Sequence, residues 1–271
     1  MKGSAIREKL HNGERTYGTH IASLMNPVAA TMAAAKMEMD FAFICTEHMP
    51  IDRTEVSRLC HLYSAHGVSP IVRVPCPDAA AIGMVLDAGA EGIVVPYVET
   101  VDEVKMASAA IRYRPLKGKL LKDALTDPSK LPEETHTFLK GFNQNNYLII
   151  GVESVPAMES LEELITCAEV DGVFLGPHDI TTSMGIPEDY ANPRFLDAVE
   201  DVILRCRKHS VGVGLHTQLL SLEDRTLKRF LNAGMNWILN GADITVMLDA
   251  MNAQLRTLRA IPSSQQTTCV K

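Results

Sequence analysis

One supersecondary unit repeats along this chain, and that repeat constrains the fold more than any other feature. Short, continuous apolar runs alternate with helical patterns almost from end to end. The strand candidates are Tyr17–Ile21, Phe41–Cys45, Pro70–Val74, Gly92–Pro96, Tyr147–Val152, Gly172–Leu175, Gly212–Leu215 and Trp237–Leu239. The helical stretches behind them are Pro27–Lys36, Arg53–Ala65, Asp78–Asp87, Val101–Ile111, Met158–Cys167, Pro193–Lys208, Leu219–Leu231 and Ile244–Leu258. Runs that do not alternate are the pattern of parallel strands covered on both faces. Eight such units predict a (β/α)8 TIM barrel, with an open doubly wound sheet as the alternative. No GxGxxG follows any strand, which weakens the dinucleotide-binding form of that alternative. A barrel of about 250 residues accounts for the chain, 1–271, as one domain.

Residues 115–146 interrupt the rhythm and are too long for an ordinary connection. They read either as an exposed excursion or as a lid or subunit-contact element. The tail 262–271 has no apolar period and is expected to fray. The net charge of -7 repels a nucleic-acid backbone, so no nucleic-acid partner is expected. No apolar run approaches the roughly 20 residues that cross a bilayer, and the first residues lack the apolar stretch of a signal peptide. The six cysteines are scattered without a CxxC pair, which fits reduced thiols in a cytoplasmic setting better than a disulfide framework or a zinc–cysteine site.

In a barrel of this kind the reacting groups stand at the carboxyl ends of the strands, so residues just after each strand are the candidates. The second strand runs into Thr46-Glu47-His48, and an imidazole there can move protons near neutral pH. Arg73 lies inside the apolar run of the third strand, where its charge needs an anion: a substrate carboxylate, a developing oxyanion or a structural acid. Asp87 closes the third helix, where a carboxylate opposes the helix dipole; it is either solvated or orients an imidazole. Glu153 follows the fifth strand and Asp179 the sixth, so two carboxylates on neighbouring strand ends suit a hard divalent cation. Gly176-Pro177 predicts a tight turn whose amides can face a bound carboxylate. His178 is a further ligand candidate, and Asp179 alternatively caps a short helix, Ile180–Met184. His20 and His216, near strand ends, are candidates to line the same mouth. No lysine stands at a strand end, which argues against a Schiff-base aldolase.

These residues resemble a known family. GTHIAS, CTEHMP, PIVRVP, VLDAGAEGIVVPYVETVDEV, IGVESVPAMESLEEL and VDGVFLGPHDITTSMG are similar, in order, to segments of the HpcH/HpaI class II pyruvate aldolases, a group that includes macrophomate synthase. The likeness covers roughly Tyr17 to Leu258. It implies a (β/α)8 barrel, often hexameric, whose last helix packs on a neighbouring subunit. It also implies a divalent metal, Mg²⁺ or Mn²⁺ with Co²⁺ or Zn²⁺ possible, and pyruvate-enolate chemistry on a 2-oxo acid and an aldehyde. By position, Glu153 and Asp179 match the metal ligands, His48 the base, Asp87 the acid that raises its basicity, and Arg73 the transition-state stabiliser. Gly176, Pro177, His178 and Asp179 match the turn that contacts the substrate carboxylate, with Arg73 also on the substrate.

Three departures stand out. Gly151 replaces the Gln usual in these aldolases two residues before the metal Glu. The loop Arg112–Leu121 lacks its usual second arginine and following glycine. His178 replaces a usually small residue. The resemblance therefore predicts a metal-dependent aldolase acting on 4-hydroxy-2-oxo acids. An oxaloacetate decarboxylase using the same enolate and a non-catalytic barrel are the alternatives.

Overall fold

The computed structural model describes residues 1–217 and 224–261. Eight parallel strands pair in chain order and close on themselves. They are β1 (Thr16–His20), β2 (Phe41–Cys45), β3 (Ser69–Arg73), β4 (Gly92–Val95), β5 (Tyr147–Val152), β6 (Gly172–Leu175), β7 (Gly212–His216) and β8 (Trp237–Ala242). Before and between β1 to β5 come α1 (Gly3–Asn12), α2 (Pro27–Lys36), α3 (Arg53–Ala65), α4 (Ala79–Asp87), α5 (Val101–Arg112), α6 (Gly118–Thr126) and α7 (Glu133–Phe142). After β5 come α8 (Val155–Glu159), α9 (Leu161–Thr166), α10 (Pro177–Ser183), α11 (Pro193–Lys208), α12 (Asp224–Ala233) and α13 (Asp243–Arg259).

The strands lie where the apolar runs predict, within one residue except that β8 runs on to Ala242. Local signals set the helix starts: Asn26, Asp52, Asp78, Ser154 and Asn192 each accept a first-turn amide, and Thr100 with Glu103 forms a capping box. The helix expected over Met158–Cys167 is instead two short helices broken at Ser160. The first residues expected in Leu219–Leu231, and the tail 262–271, lie outside the described residues.

Two cores hold the barrel. The inner one stacks the Phe41 and Trp237 rings with centroids 5.0 Å apart, with Phe43, Phe174, Ile71 and Tyr147 around them. Gly92 makes room for Tyr147, whose ring atoms would lie as close as 2.4 Å to a Cβ there. The outer core fills the space between strands and helices. Each fully buried side chain of this size contributes about 1.5–3 kcal/mol relative to exposure.

The amino-terminal end of the barrel carries α1, which the repeat pattern does not predict. It buries Ile6 and Leu10 completely, and Asn236 and Arg207 donate to the Leu10 carbonyl. The excursion 115–146 starts from the end of α5 and returns to the start of β5, so it too lies at this end. It holds α6 and α7 around a small core of Ala124, Leu131 and Leu139, and Asn143 donates to the carbonyls of Arg112 and Arg114. The lid alternative is thereby corrected: a segment anchored at the amino end does not cover the carboxyl end.

Candidate functional site

Arg73 organises the carboxyl end. It closes β3 and is buried, 7% exposed, with its guanidinium 5.4 Å from the Phe174 ring centroid. Its Nη2 donates to both Glu153 oxygens, at 3.2 and 3.3 Å. Its Nε lies 2.5 Å from Glu47 Oε2 without aiming its N–H along that line, so this contact is one of charge rather than of hydrogen bonding. The loop after β2 is pinned to the same strand end, because Thr46 donates through both its backbone N–H and its hydroxyl to the Arg73 carbonyl.

Glu153 follows β5 and is almost wholly buried, 1% exposed. Burial pushes its carboxyl up to about 7; Arg73 and the Tyr97 amide oppose the rise, while Asp179 and Glu47 add to it. The Tyr97 N–H reaches it at 2.9 Å from the β4–α5 turn. Two glycines make this placement possible. A Cβ on Gly176 would stand 2.6 Å from Glu153 Oε1. A Cβ on Gly151 would stand 3.0 Å from Pro96 Cα and from Tyr97 N, both backbone atoms. The turn that delivers the Tyr97 amide therefore crowds the space a side chain at 151 would need. Sequence reading missed this amide because every residue but proline carries one.

Asp179 stands in the first turn of α10, partly exposed, on the strand end next to that of Glu153. Helix α10 begins at Pro177, earlier than the Ile180 start expected, so Asp179 sits inside the helix rather than capping it. His178 is exposed and its Nδ1 is 3.9 Å from Glu188 Oε1. Among the described residues no group of three or more His, Cys, Asp and Glu converges as a metal cage.

His48 is exposed at the rim, its Nε2 3.5 Å from Glu47 Oε2. Asp87 is not brought to it. Asp87 ends α4 at the amino-terminal end of the barrel, exposed and paired with Arg114 at 2.6 Å. A strand of five residues separates the two ends by about 15 Å. The acid beside His48 in the same chain is Glu47, whose only sequence signal is its place at a strand end.

The mouth opens into a cavity of about 720 Å³ lined by His48, Arg73, Gly176, Pro177, His178 and Asp179 on one side and by His20 and His216 on the other. Two carboxylates, Glu47 and Glu153, contact one guanidinium, and Asp179 adds a third negative charge near Glu153. Burial first, and then the like charge of Asp179 and Glu47, leaves Glu153 poorly compensated, and the acid-rich mouth fits a hard divalent cation with oxygen ligands.

A barrel that collects at its carboxyl face the groups able to steady a growing negative charge and to move a proton defines a class, the (β/α)8 enzymes. The chain belongs to the HpcH/HpaI aldolase/citrate lyase family, whose model matches residues 22–250. It is 28% identical over 230 residues to a hydroxypyruvate/pyruvate aldolase of Roseovarius nubinhibens, covering 85% of this chain and 88% of that one. It is 24% identical over 263 residues to a 2-keto-3-deoxy-L-rhamnonate aldolase of Salmonella gallinarum, covering 97% and 96%. The crystal structure of an HpcH/HpaI aldolase from Desulfitobacterium hafniense has the same fold, with a TM-score of 0.79, 22% identity and coverage of 95% and 98%. The protein is a carbon–carbon lyase of the aldolase type.

Proposed function

We propose that this protein is a divalent-metal-dependent aldolase that cleaves 4-hydroxy-2-oxo acids to a pyruvate-type 2-oxo acid and an aldehyde, and forms them in reverse. The observation that carries the reading is the charge balance of the mouth: Glu47 and the buried Glu153 on the single guanidinium of Arg73, with Asp179 on the neighbouring strand end adding like charge. Glu153 and Asp179 would hold the ion, Mg²⁺ or Mn²⁺ by donor chemistry with Co²⁺ and Zn²⁺ as alternatives, and when bound it supplies Lewis acidity toward the keto oxygen.

The chain's own residues do the rest. Arg73, held between Glu47 and Glu153, keeps fixed positive charge aimed at the oxygen that becomes anionic. In cleavage His48 takes the proton of the 4-hydroxyl, the C3–C4 bond breaks, its electron pair passes to the 2-oxo fragment as the aldehyde departs, and C3 of the resulting enolate takes up a proton from solvent to give the 2-oxo acid. In the reverse direction C3 of the 2-oxo acid gives up a proton to solvent, the enolate carbon bonds to the aldehyde carbon, and His48 returns the proton to the new 4-oxygen. Gly176, Pro177, His178 and Asp179 form the turn against which the substrate carboxylate rests. The first-turn amides of α10 at His178 and Asp179 are free for it, having no carbonyl partner within the helix.

Asp87 can act on His48 only from a neighbouring chain. Helix α13 supports assembly, since it exposes Val246, Leu248, Met251, Leu255 and Leu258. A homo-oligomer, with the hexamer as the expectation, belongs to this proposal. The test is pyruvate release from a 4-hydroxy-2-oxo acid. Release should require Mg²⁺ or Mn²⁺, stop on complete chelation and return with added metal. Activity that survives complete metal removal overturns the reading.

A further inference from the structure

The end of the barrel opposite the mouth holds a cavity of about 900 Å³, within the size range of small-molecule sites. Four connections meet there: α1 into β1, the excursion into β5, α9 into β6 and α11 into β7. Six basic side chains line it: Arg7 and His11 from α1, Arg112 from α5, His136 and Lys140 from α7, and His209 just beyond α11. The two acids in its wall, Glu169 and Asp171, both lie on Arg112, at 2.9 and 2.5 Å. A basic lining of this kind runs against the net charge of the chain, which is -7.

Geometry fixes the charge of His11. Its Nδ1 lies 2.8 Å from the Ser210 carbonyl oxygen and its Nε2 3.0 Å from Asp171 Oδ1. Both partners only accept, so both ring nitrogens donate and the ring is an imidazolium. The Asp171 hydrogen bond holds this side chain above its usual range against the cost of burial, and Arg7 opposes it as a like charge. Arg7 and His11 stand four residues apart on one face of α1, where like charges destabilise a helix. Asp171 thus answers two cations, Arg112 and His11, while Glu169 is 76% exposed. Among the described residues the side chains of Arg7 and Lys140 have neither an ion pair nor a hydrogen bond. Two helices therefore aim uncompensated positive charge into one cavity, and on α1 that charge repels a neighbour.

We infer that this cavity binds a small polyanion, a molecule with two or more phosphate or carboxylate groups, between Arg7 of α1 and Lys140 of α7. Arg7 takes one anionic group through its guanidinium fork, and Lys140 meets another as a point charge. Thr137 and Gln144, in the same wall, supply neutral donors. The bound anion offsets the repulsion between Arg7 and His11 and ties the excursion to α1 beneath the barrel. The site stands apart from the mouth and holds whether or not the aldolase reading does.

The experiment titrates the full chain, free of divalent metal, with pyrophosphate and with succinate in a calorimeter at about 0.1 M salt, where diffuse surface fields are largely screened. At least one probe should bind saturably, one molecule per chain, and the probe that binds names the anionic group. Arg7→Gln and Lys140→Gln should each weaken it by at least about tenfold, the scale of one charge-assisted hydrogen bond. Lys122→Gln, which removes the same charge from an exposed position of α6 outside the cavity, should leave the affinity unchanged. Arg7 and Lys140 are at least partly exposed, so the unliganded variants should melt with wild type, and the stabilising shift given by the probe should shrink with its affinity. No saturable binding of either probe below about 10 mM overturns the inference. So does binding that either cavity variant leaves unchanged, which would put the anion elsewhere, or a loss that Lys122→Gln matches, which would make it an effect of net charge.

Discussion

The two ends of the barrel each bury an arginine against an acid, and the pairs behave in opposite ways. At the amino end Arg112 Nη2 lies 2.5 Å from Asp171, which is 2% exposed and also receives His11 Nε2 at 3.0 Å and the Leu148 amide at 2.7 Å. Burial pushes Asp171 up, but these partners outweigh it and hold its carboxyl below the usual carboxylate range. At the carboxyl end burial to the same degree pushes Glu153 up to about 7, because only Arg73 and the Tyr97 amide oppose it while Asp179 and Glu47 add like charge. Equal burial with unequal compensation separates a structural ion pair from a site short of positive charge. The amino-end pair is complete within the chain, whereas in the function proposed above a cation and a substrate would complete the carboxyl end.

The sharpest way to break this contrast is to neutralise each acid. Glu153→Gln should lower aldol cleavage by about 10³-fold, the scale of losing several kcal/mol of electrostatic stabilisation at the transition state, while the protein still folds. Asp171→Asn should do the reverse, costing about 1.5–3 kcal/mol of stability by replacing the charged acceptor of Arg112, His11 and the Leu148 amide with a neutral one, and leaving the activity per folded molecule near wild type. Denaturant titrations beside steady-state rates check both, and a Glu153→Gln protein with wild-type kcat would remove the distinction.

The pH dependence should differ in sign. Glu153 has a raised folded pKa, so its contribution to the metal-free protein is full below 4.5 and is lost as pH rises toward 7. The slope is at most about 1.4 kcal/mol per pH unit. Asp171, with a lowered folded pKa, contributes stability above 3.8 that is lost as pH falls through its folded value. Melting curves of metal-free protein between pH 5 and 8 should show the decline, and saturating Mg²⁺ or Glu153→Gln should flatten it. Because the metal displaces the proton, apparent Mg²⁺ affinity should weaken about tenfold per pH unit below 7. A flat metal-free profile would show Glu153 to be as well compensated as Asp171.

The smallest effect is expected at the exposed pair. Asp87→Asn removes the contact with Arg114, and with Asp87 71% exposed the stability should change by less than about 0.5 kcal/mol. Stability and activity that both stay level would place Asp87 outside the chemistry. A fall in activity at constant stability, measured beside the oligomeric state, would show that a neighbouring chain supplies the acid.

The sequence by itself determined the barrel and the census of its mouth. Parallel strands covered on both faces must be apolar throughout, so Phe41–Cys45 or Tyr147–Val152 is legible without any contact information. Strand order then sends Glu47, His48, Arg73, Glu153 and Asp179 to one end, because connections are short and each strand runs the same way. It could not reveal α1, a single amphipathic stretch whose Ile6 and Leu10 have meaning only under a closed barrel. It did set Asp87, at the end of a helix, away from His48 within one chain, since each helix returns the chain to the amino end of the barrel. Tertiary structure alone decided which acid is paired and which is left in want of charge. Compensation depends on distances of a few ångströms among residues up to 106 positions apart (Glu47 to Glu153), and no local pattern in a chain encodes such distances.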